Sequence, residues 1–289
     1  MSTHDATEAA THVEVASPDA WERLAAGYDE FVAPGEEPFA SEALRMVGLR
    51  AGESFLDVAA GTGGLSLPAA RLGARVLATD WAPAMVARFE DRVRAEGLKN
   101  AEGRVMDCHG LDLGDDGFDV VGSQFGVMLV PDQMGALREM VRVTKPGGRV
   151  VLVAYGSPAE FEALQFFIRA LQSVSSGFEG LPDDPAPLEF QVADPEVLRA
   201  RLAAVGLVNV EVATHHQERL ELRSGQDCWN WLINSNPVVA IIVDEVAAGQ
   251  HALLQDTLER LIRERAGGGD TAVLTARLNI GWGTKPRPA

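Results

Sequence analysis

One stretch limits the folds open to this chain more than any other: Phe55-Leu-Asp57-Val-Ala59-Ala-Gly61-Thr-Gly63-Gly64, followed past the next apolar run by Asp80. The apolar lead into Asp57 has the character of a buried parallel strand, and Leu65, Leu67, Ala69, Ala70 and Leu72 then recur at helical spacing. Strand, tight turn and helix follow in that order. Glycines in the turn let the backbone take positive φ and let a ligand come close to the main chain. Ala74 to Asp80 reads as a second parallel strand ending in an acid. An acid there is placed to accept both hydroxyls of an adenosine ribose, as in nucleotide-binding α/β folds.

Two patterns compete for this unit. The dinucleotide pattern G-x-G-x-x-G requires glycine or alanine at position 66, where this chain has Ser66. The other is acidic-x-Gly-x-Gly-x-Gly, which Asp57, Gly61 and Gly63 match, with Ala59 in the first glycine position. A glycine turn alone serves a core turn as readily as a ligand, so the rest of the chain has to decide.

Upstream, residues 1 to about 17 are polar and read as poorly ordered. Ser17-Pro18-Asp19 offers a helix start with proline in the first turn. Trp21, Leu24, Ala25, Tyr28 and Phe31 extend that helix to about Phe31, Pro34-Gly35 breaks it, and Phe39 to Val47 forms a second. Downstream, Met85, Val86, Phe89 and Val93 mark a helical face, and a short third strand covers Gly103 to Met106 before Asp107-Cys108. Phe118 to Phe125 forms a fourth strand, and Pro131-Asp132 opens a helix through Val143. Lys145-Pro146-Gly147-Gly148 turns sharply into a fifth strand ending at Tyr155.

In that order and spacing, Asp57 to Gly63, Asp80, Asp107, Phe118-Asp119 and Leu137 to Gly148 resemble the class I S-adenosylmethionine-dependent methyltransferases. The likeness covers roughly residues 53 to 155, and the alanine at 59 is similar to the ubiquinone- and menaquinone-type branch. The helix-Pro-Gly-Gly-strand element has no counterpart expected in a dinucleotide oxidoreductase. The resemblance implies an α/β fold: a doubly wound, seven-stranded, mostly parallel sheet with a helical cap, binding S-adenosylmethionine and leaving S-adenosylhomocysteine. It also implies that Asp107 meets the exocyclic amine of adenine, and that the helix before the first strand closes over the ligand, with Tyr28 as lid residue.

After Gly156 the α/β rhythm stops. Phe161 to Leu171 marks a helix and 173–187 a loop. Asp194-Pro195 opens another helix, and Leu207 to Ala213 alternates as a sixth strand. Trp229 to about Val246 and His251 to Arg265 are helical, and Thr271 to Trp282 reads as a seventh, edge strand. The expected organisation is 1–35 tail and lid helix, 36–155 cofactor core, 156–193 cap insertion, 194–223 core continued, 224–270 helical cap and 271–289 final edge strand.

Charge and cysteine content narrow the partners. A net charge of −17 disfavours tRNA, rRNA and DNA as substrates. Cys108 and Cys228 have no paired spacing, which fits a reducing cytoplasm and neither a disulfide framework nor a zinc site. The first residues lack a signal-peptide pattern, and no run of about 18 apolar residues predicts a membrane span. Monomer and homodimer are both open.

Ligands of open parallel sheets bind beyond the carboxyl ends of the strands. With the resemblance, this collects Asp57, Ala59, Gly61, Gly63, Asp80, Trp81, Met85, Asp107, Cys108, Ser123 and Gln124 as candidate cofactor contacts, with His109 beside adenine. The candidate acceptor contacts are Tyr28, Phe125, Tyr155, Phe161, Trp229 and Trp231, although aromatic residues at helical spacing also serve as cap core. Methyl transfer needs a base only when the nucleophile is protonated, and His215 or His216 could supply it. Being adjacent in a strand, these two face opposite sides, so at most one points into the pocket. No metal is expected. The function that follows is methyl transfer to a small, partly apolar or aromatic acceptor at O, N or C. The rivals are a dinucleotide-dependent oxidoreductase and a non-catalytic S-adenosylmethionine-binding scaffold.

Overall fold

The computed structural model describes residues 17–182 and 184–288, and of 215–218 only the backbone. The expected disordered tail, residues 1–16, lies outside the described residues. Two helices, α1 (Pro18–Gly27) and α2 (Glu37–Met46), precede the sheet. Five strands then form its parallel half: β1 (Ser54–Val58), β2 (Arg75–Asp80), β3 (Ala101–Val105), β4 (Phe118–Gln124) and β5 (Thr144–Tyr155). The helices α3 (Ser66–Arg71), α4 (Pro83–Ala95) and α5 (Gln133–Val143) lie between them in sequence. After α6 (Glu162–Val174) and α7 (Pro195–Ala204) come β6 (Val208–Leu222), α8 (Gly225–Ser235), α9 (Pro237–Val246), α10 (His251–Ala266) and β7 (Ala272–Thr284). The sheet has seven strands in the order β3-β2-β1-β4-β5-β7-β6, with β7 antiparallel to both neighbours. This is the doubly wound α/β architecture the sequence implies.

Three expectations are corrected. The seventh strand is not an edge: β7 is hydrogen-bonded to β5 on one side and β6 on the other. Gly281 lets α7 pack close on it, since a Cβ there would stand 2.9 Å from Leu202 and 3.0 Å from Leu198. The sixth strand does not stop near Ala213 but continues to Leu222, with a register irregularity between Ala213 and His216 that breaks the period-two pattern. Finally, α1 ends at Gly27 and passes into a π turn over Tyr28–Val32 and a 3-10 turn over Ala33–Gly35, instead of running as one α-helix to Phe31.

Two of the apolar clusters are large. One fills the sheet around Phe55, Leu56 and Val58 of β1 and Val120 and Val121 of β4. The other joins α6, α8, α9 and α10 through Phe167, Leu171, Trp231, Leu254 and Leu258, and takes in Leu222 and Leu274 from the far ends of β6 and β7. The long β6–β7 ribbon therefore belongs to both clusters. Among the described residues, no single helix is long and apolar enough to cross a membrane.

Where α8 crosses α10, a Cβ on Gly225 would lie 2.3 Å from the backbone nitrogen of Glu259 and 2.5 Å from its Cα. No rotamer change can relieve a clash with main chain. Gly225→Ala is expected to destabilise the protein by roughly 1–3 kcal/mol, the scale of overpacking. Urea unfolding monitored by circular dichroism measures this as a lower midpoint, and an unchanged midpoint would contradict the close crossing.

Candidate functional site

A cavity of about 980 Å³ opens beyond the carboxyl ends of β1, β2, β4 and β5. Each strand contributes residues at or just past its carboxyl end: Asp57, Ala59, Ala60, Gly61 and Gly64 from β1, Asp80 and Trp81 from β2, Gln124 to Gly126 from β4, and Tyr155 from β5. The chain runs from β1 outward to β2 and β3, then returns to place β4 on the other side of β1. That reversal is the switch point at which open parallel sheets bind ligands. Trp21, Tyr28 and Glu36 close one wall from the N-terminal segment, and Phe161, Phe167, Trp231 and Ile242 line the cap side.

The turn after β1 assigns separate tasks to its residues. Gly61 has φ +55, and a Cβ there would meet nothing nearer than Tyr28 Cε1 at 3.9 Å, so its open face looks into the cavity. Gly63 has φ +97, and a Cβ would stand 2.4 Å from the Phe89 ring. Gly63 is thus required by packing on α4, and it does not line the cavity. Ala59 holds φ +53, a conformation that costs a non-glycine residue about 1–2 kcal/mol. Its neighbour Gly126 makes room, since a Cβ there would sit 2.6 Å from the Ala59 Cβ and 2.5 Å from its carbonyl oxygen.

Three buried carboxyls share the cavity wall. Asp80 accepts from the backbone N–H of Gly61 at 2.9 Å and of Ala82 at 3.0 Å. Burial pushes its carboxyl up to about 6, against these N–H bonds. Asp57 accepts from the Ser66 hydroxyl at 2.6 Å through Oδ2, while its Oδ1 has no hydrogen-bond partner. Burial pushes it up to about 7. The serine that breaks the dinucleotide pattern therefore anchors the motif's acid. Glu36 accepts from the Tyr28 hydroxyl at 2.5 Å, and burial pushes it up to about 7 as well. Sequence reading missed Glu36, which sits in the aperiodic Pro34-Gly35-Glu36-Glu37-Pro38 stretch, and also Trp21 and Gly126.

Facing these acids is an aromatic column. Phe125 stacks on Tyr155 with ring centroids 4.5 Å apart, Tyr155 on Phe161 at 4.6 Å, and Trp231 meets Phe161 edge-on at 6.0 Å. Phe39 closes the other end against Phe125 at 5.4 Å. Four of the aromatic residues singled out for the acceptor thus form one continuous wall.

Other sequence candidates fall elsewhere. Trp229 is buried in the cap beside His251, with ring centroids 5.8 Å apart, and does not line the cavity. Residues two apart on a helix point to different sides, so only Trp231 reaches the cavity. Asp107 lies exposed on the loop after β3, bound to His109 through the backbone N–H at 2.9 Å and Nδ1 at 2.8 Å. Cys108 is buried next to it, and desolvation pushes its thiol up to about 12. The donor atoms of Asp107, Cys108 and His109 lie within 4.8 Å of one another. Neither Asp107 nor Cys108 lines the cavity. Ser123 lies beneath it, its hydroxyl accepting from the Val127 N–H at 3.1 Å. Met85 lines the cavity beside Trp81. The backbone of His215 and His216 belongs to β6, and their side chains lie outside the described residues.

A family model described as a methyltransferase domain matches residues 56–152. The chain is 35% identical over 176 residues to the ubiquinone/menaquinone biosynthesis C-methyltransferase UbiE of Geotalea daltonii, covering 56% of this chain and 72% of that one. It is 38% identical over 122 residues to an uncharacterised protein of Mycobacterium tuberculosis, covering 42% of this chain and 44% of the relative. The chain thus spans less than half the length of that relative. Among solved structures, the YcgJ protein of Bacillus subtilis matches with a TM-score of 0.56 at 16% identity, covering 86% of this chain and 98% of that chain. That likeness is one of fold alone.

The buried acids set a pH dependence. A carboxyl whose pKa is raised on folding contributes stability that is fully present below its unfolded value near 4 and lost as pH rises through its folded value. For Asp80 that value is about 6, and for Asp57 and Glu36 about 7. The ligand-free protein is expected to lose stability to urea between about pH 4 and pH 7, and Glu36→Gln to reduce that loss by on the order of 2 kcal/mol. Parallel pH profiles for the two proteins would contradict the burial of an ionisable Glu36.

Proposed function

The chain belongs to the ubiquinone/menaquinone-type family of class I S-adenosylmethionine-dependent methyltransferases, and on that premise we propose that it transfers the cofactor's methyl group to a small acceptor bearing an aromatic or partly apolar ring. The observation that carries this reading is one cavity with two unlike sets of lining residues. The glycine turn and Asp80 form one set, and the Phe125–Tyr155–Phe161–Trp231 column forms the other. The residues present fit the cofactor. Gly61 leaves its face open to a ligand, and Asp57 offers a buried oxygen without a donor.

S-adenosylmethionine supplies a methyl already activated by its sulfonium, so the protein's task is positioning for an in-line displacement. Asp80 is the residue to accept the ribose hydroxyls, with Trp81 and Met85 walling the nucleoside. Ala59 and Gly61 bring the main chain near the amino-acid part, and Gln124 lies where β4 reaches the same space. The aromatic column holds a flat acceptor by stacking and excludes water, and the cap segments 156–193 and 224–270 set acceptor choice. The name of the Geotalea daltonii relative supports a quinone-type ring methylated at carbon. The two buried cysteines form no disulfide, in keeping with a cytoplasmic location. The dinucleotide reading loses support from Ser66, whose hydroxyl is committed to Asp57. Adding S-adenosylmethionine and NADH separately in a thermal-shift assay separates the two, and stabilisation by NADH alone would overturn the proposal.

Asp80→Ala is expected to fold and to bind S-adenosylhomocysteine about 1.5–3 kcal/mol more weakly, the scale of hydrogen bonds to a charged group. Unchanged affinity by calorimetry would remove Asp80 from the cofactor site. Phe161→Ala is expected to raise the acceptor's KM several-fold more than the cofactor's, since it removes the middle of the stacked column. Steady-state kinetics on variant protein with a native circular-dichroism spectrum checks this, and equal changes toward both substrates would assign the column to packing.

A further inference from the structure

Of the cavity's charged lining, all that is described is acidic: Glu36, Asp57, Asp80, Glu179, Glu189 and Glu245, with no lysine, arginine or histidine among the described residues. Two buried side-chain oxygens in the described protein have no hydrogen-bond partner, Asp57 Oδ1 and Gln124 Oε1, and both belong to this wall. Asp57 is 1% exposed and Gln124 8%. Buried acceptors left open are costly unless a ligand brings donors. The Gln124 amide is held in this orientation by its Nε2 donating to the Glu36 carbonyl at 3.4 Å, since the flipped amide would set two acceptors against each other. Glu36 and Gln124 converge over Gly64: a Cβ there would lie 2.7 Å from Glu36 Oε2 and 3.2 Å from Gln124 Nε2. The Glu36 charge also acts on Asp57.

We propose that Glu36, delivered by the N-terminal segment and not by the sheet, is the counter-ion for the primary ammonium of the cofactor's amino-acid part, with Asp57 Oδ1 and Gln124 Oε1 completing a three-acceptor receptor. This rests on the methyltransferase reading. An ammonium offers three N–H donors to three oxygens, whereas a sulfonium offers none and would leave the open acceptors unpaired. The Tyr28 hydroxyl, donating to Glu36 Oε1, holds the carboxylate over Gly64 beside the Gln124 amide, which also favours its charged form. Arg92, whose charge is also felt at Glu36, is engaged with Asp29 and Thr62 at 3.3 Å and does not line the cavity. Glu36 is therefore a binding residue supplied by the same segment that covers the site.

The test compares two ligands on wild-type protein and Glu36→Gln by titration calorimetry. S-adenosylhomocysteine carries the ammonium, and 5′-methylthioadenosine keeps the nucleoside and thioether without it. Glu36→Gln is expected to weaken S-adenosylhomocysteine by about tenfold or more and to leave methylthioadenosine within about twofold, with Glu36→Asp recovering part of the loss. Equal affinity of wild type and Glu36→Gln for S-adenosylhomocysteine would overturn the assignment. So would an equal loss for both ligands in protein shown by melting to be folded, or intact binding with lost methyl transfer, which would move Glu36 to the acceptor. Wild-type protein that binds neither ligand would overturn the methyltransferase reading, and this assignment with it.

Discussion

Everything at the site depends on how the chain leaves β1. The strand is pinned between β2 and β4 with parallel ladders on both sides, so it must turn away as soon as it passes the edge of its neighbours. It does so through Ala59, Gly61 and Gly63, all at positive φ. Asp80 at the end of β2 receives the Gly61 N–H, and the Ala60 N–H is bonded to the Thr79 carbonyl. The turn is thereby held by the adjacent strand, and the cavity is the space that turn leaves open.

The second constraint is that the cap is not a separate body resting on the sheet. The β6–β7 ribbon runs from the sheet into the cap, and the aromatic column passes from Phe39 near the first strands to Trp231 in α8. Phe125, the column's second member, holds φ +56 directly after β4. A strained, buried residue at that point needs support on both sides, and it has Phe39 and Tyr155. Small displacements of the cap therefore bear on the residue that follows Gln124.

What the sequence revealed was the part of the site that local pattern encodes. Asp57, Gly61, Asp80 and Gln124 sit at strand ends, and strands can be read from apolar runs and turns. Tyr155 was marked by its place at the end of the fifth strand, and Phe161 and Trp231 as aromatic residues on the covering segments. Glu36 was invisible for the opposite reason: it lies in a proline- and glycine-interrupted stretch without period, and it reaches the site only because the chain folds back over Gly64. The place of β7 was equally hidden. Alternation identifies a strand but not its neighbours, and only the ladders to β5 and β6 mark the strand as interior. Trp229 and Trp231 differ by which side of one helix they occupy, which is settled by what packs around α8.

The one-signed lining of the cavity bears on turnover. In the proposed reaction the bound cofactor carries a sulfonium before transfer and a neutral thioether after it, so the ligand loses one positive charge while the surrounding carboxyls stay in place. Coulomb attraction that helps to hold the reactant is weaker for the product, and no described lysine, arginine or histidine lines the wall to replace it. The spent molecule keeps its nucleoside contacts but is held less firmly. The same acids that make the site costly to build thus distinguish the charged reactant from the neutral thioether it becomes.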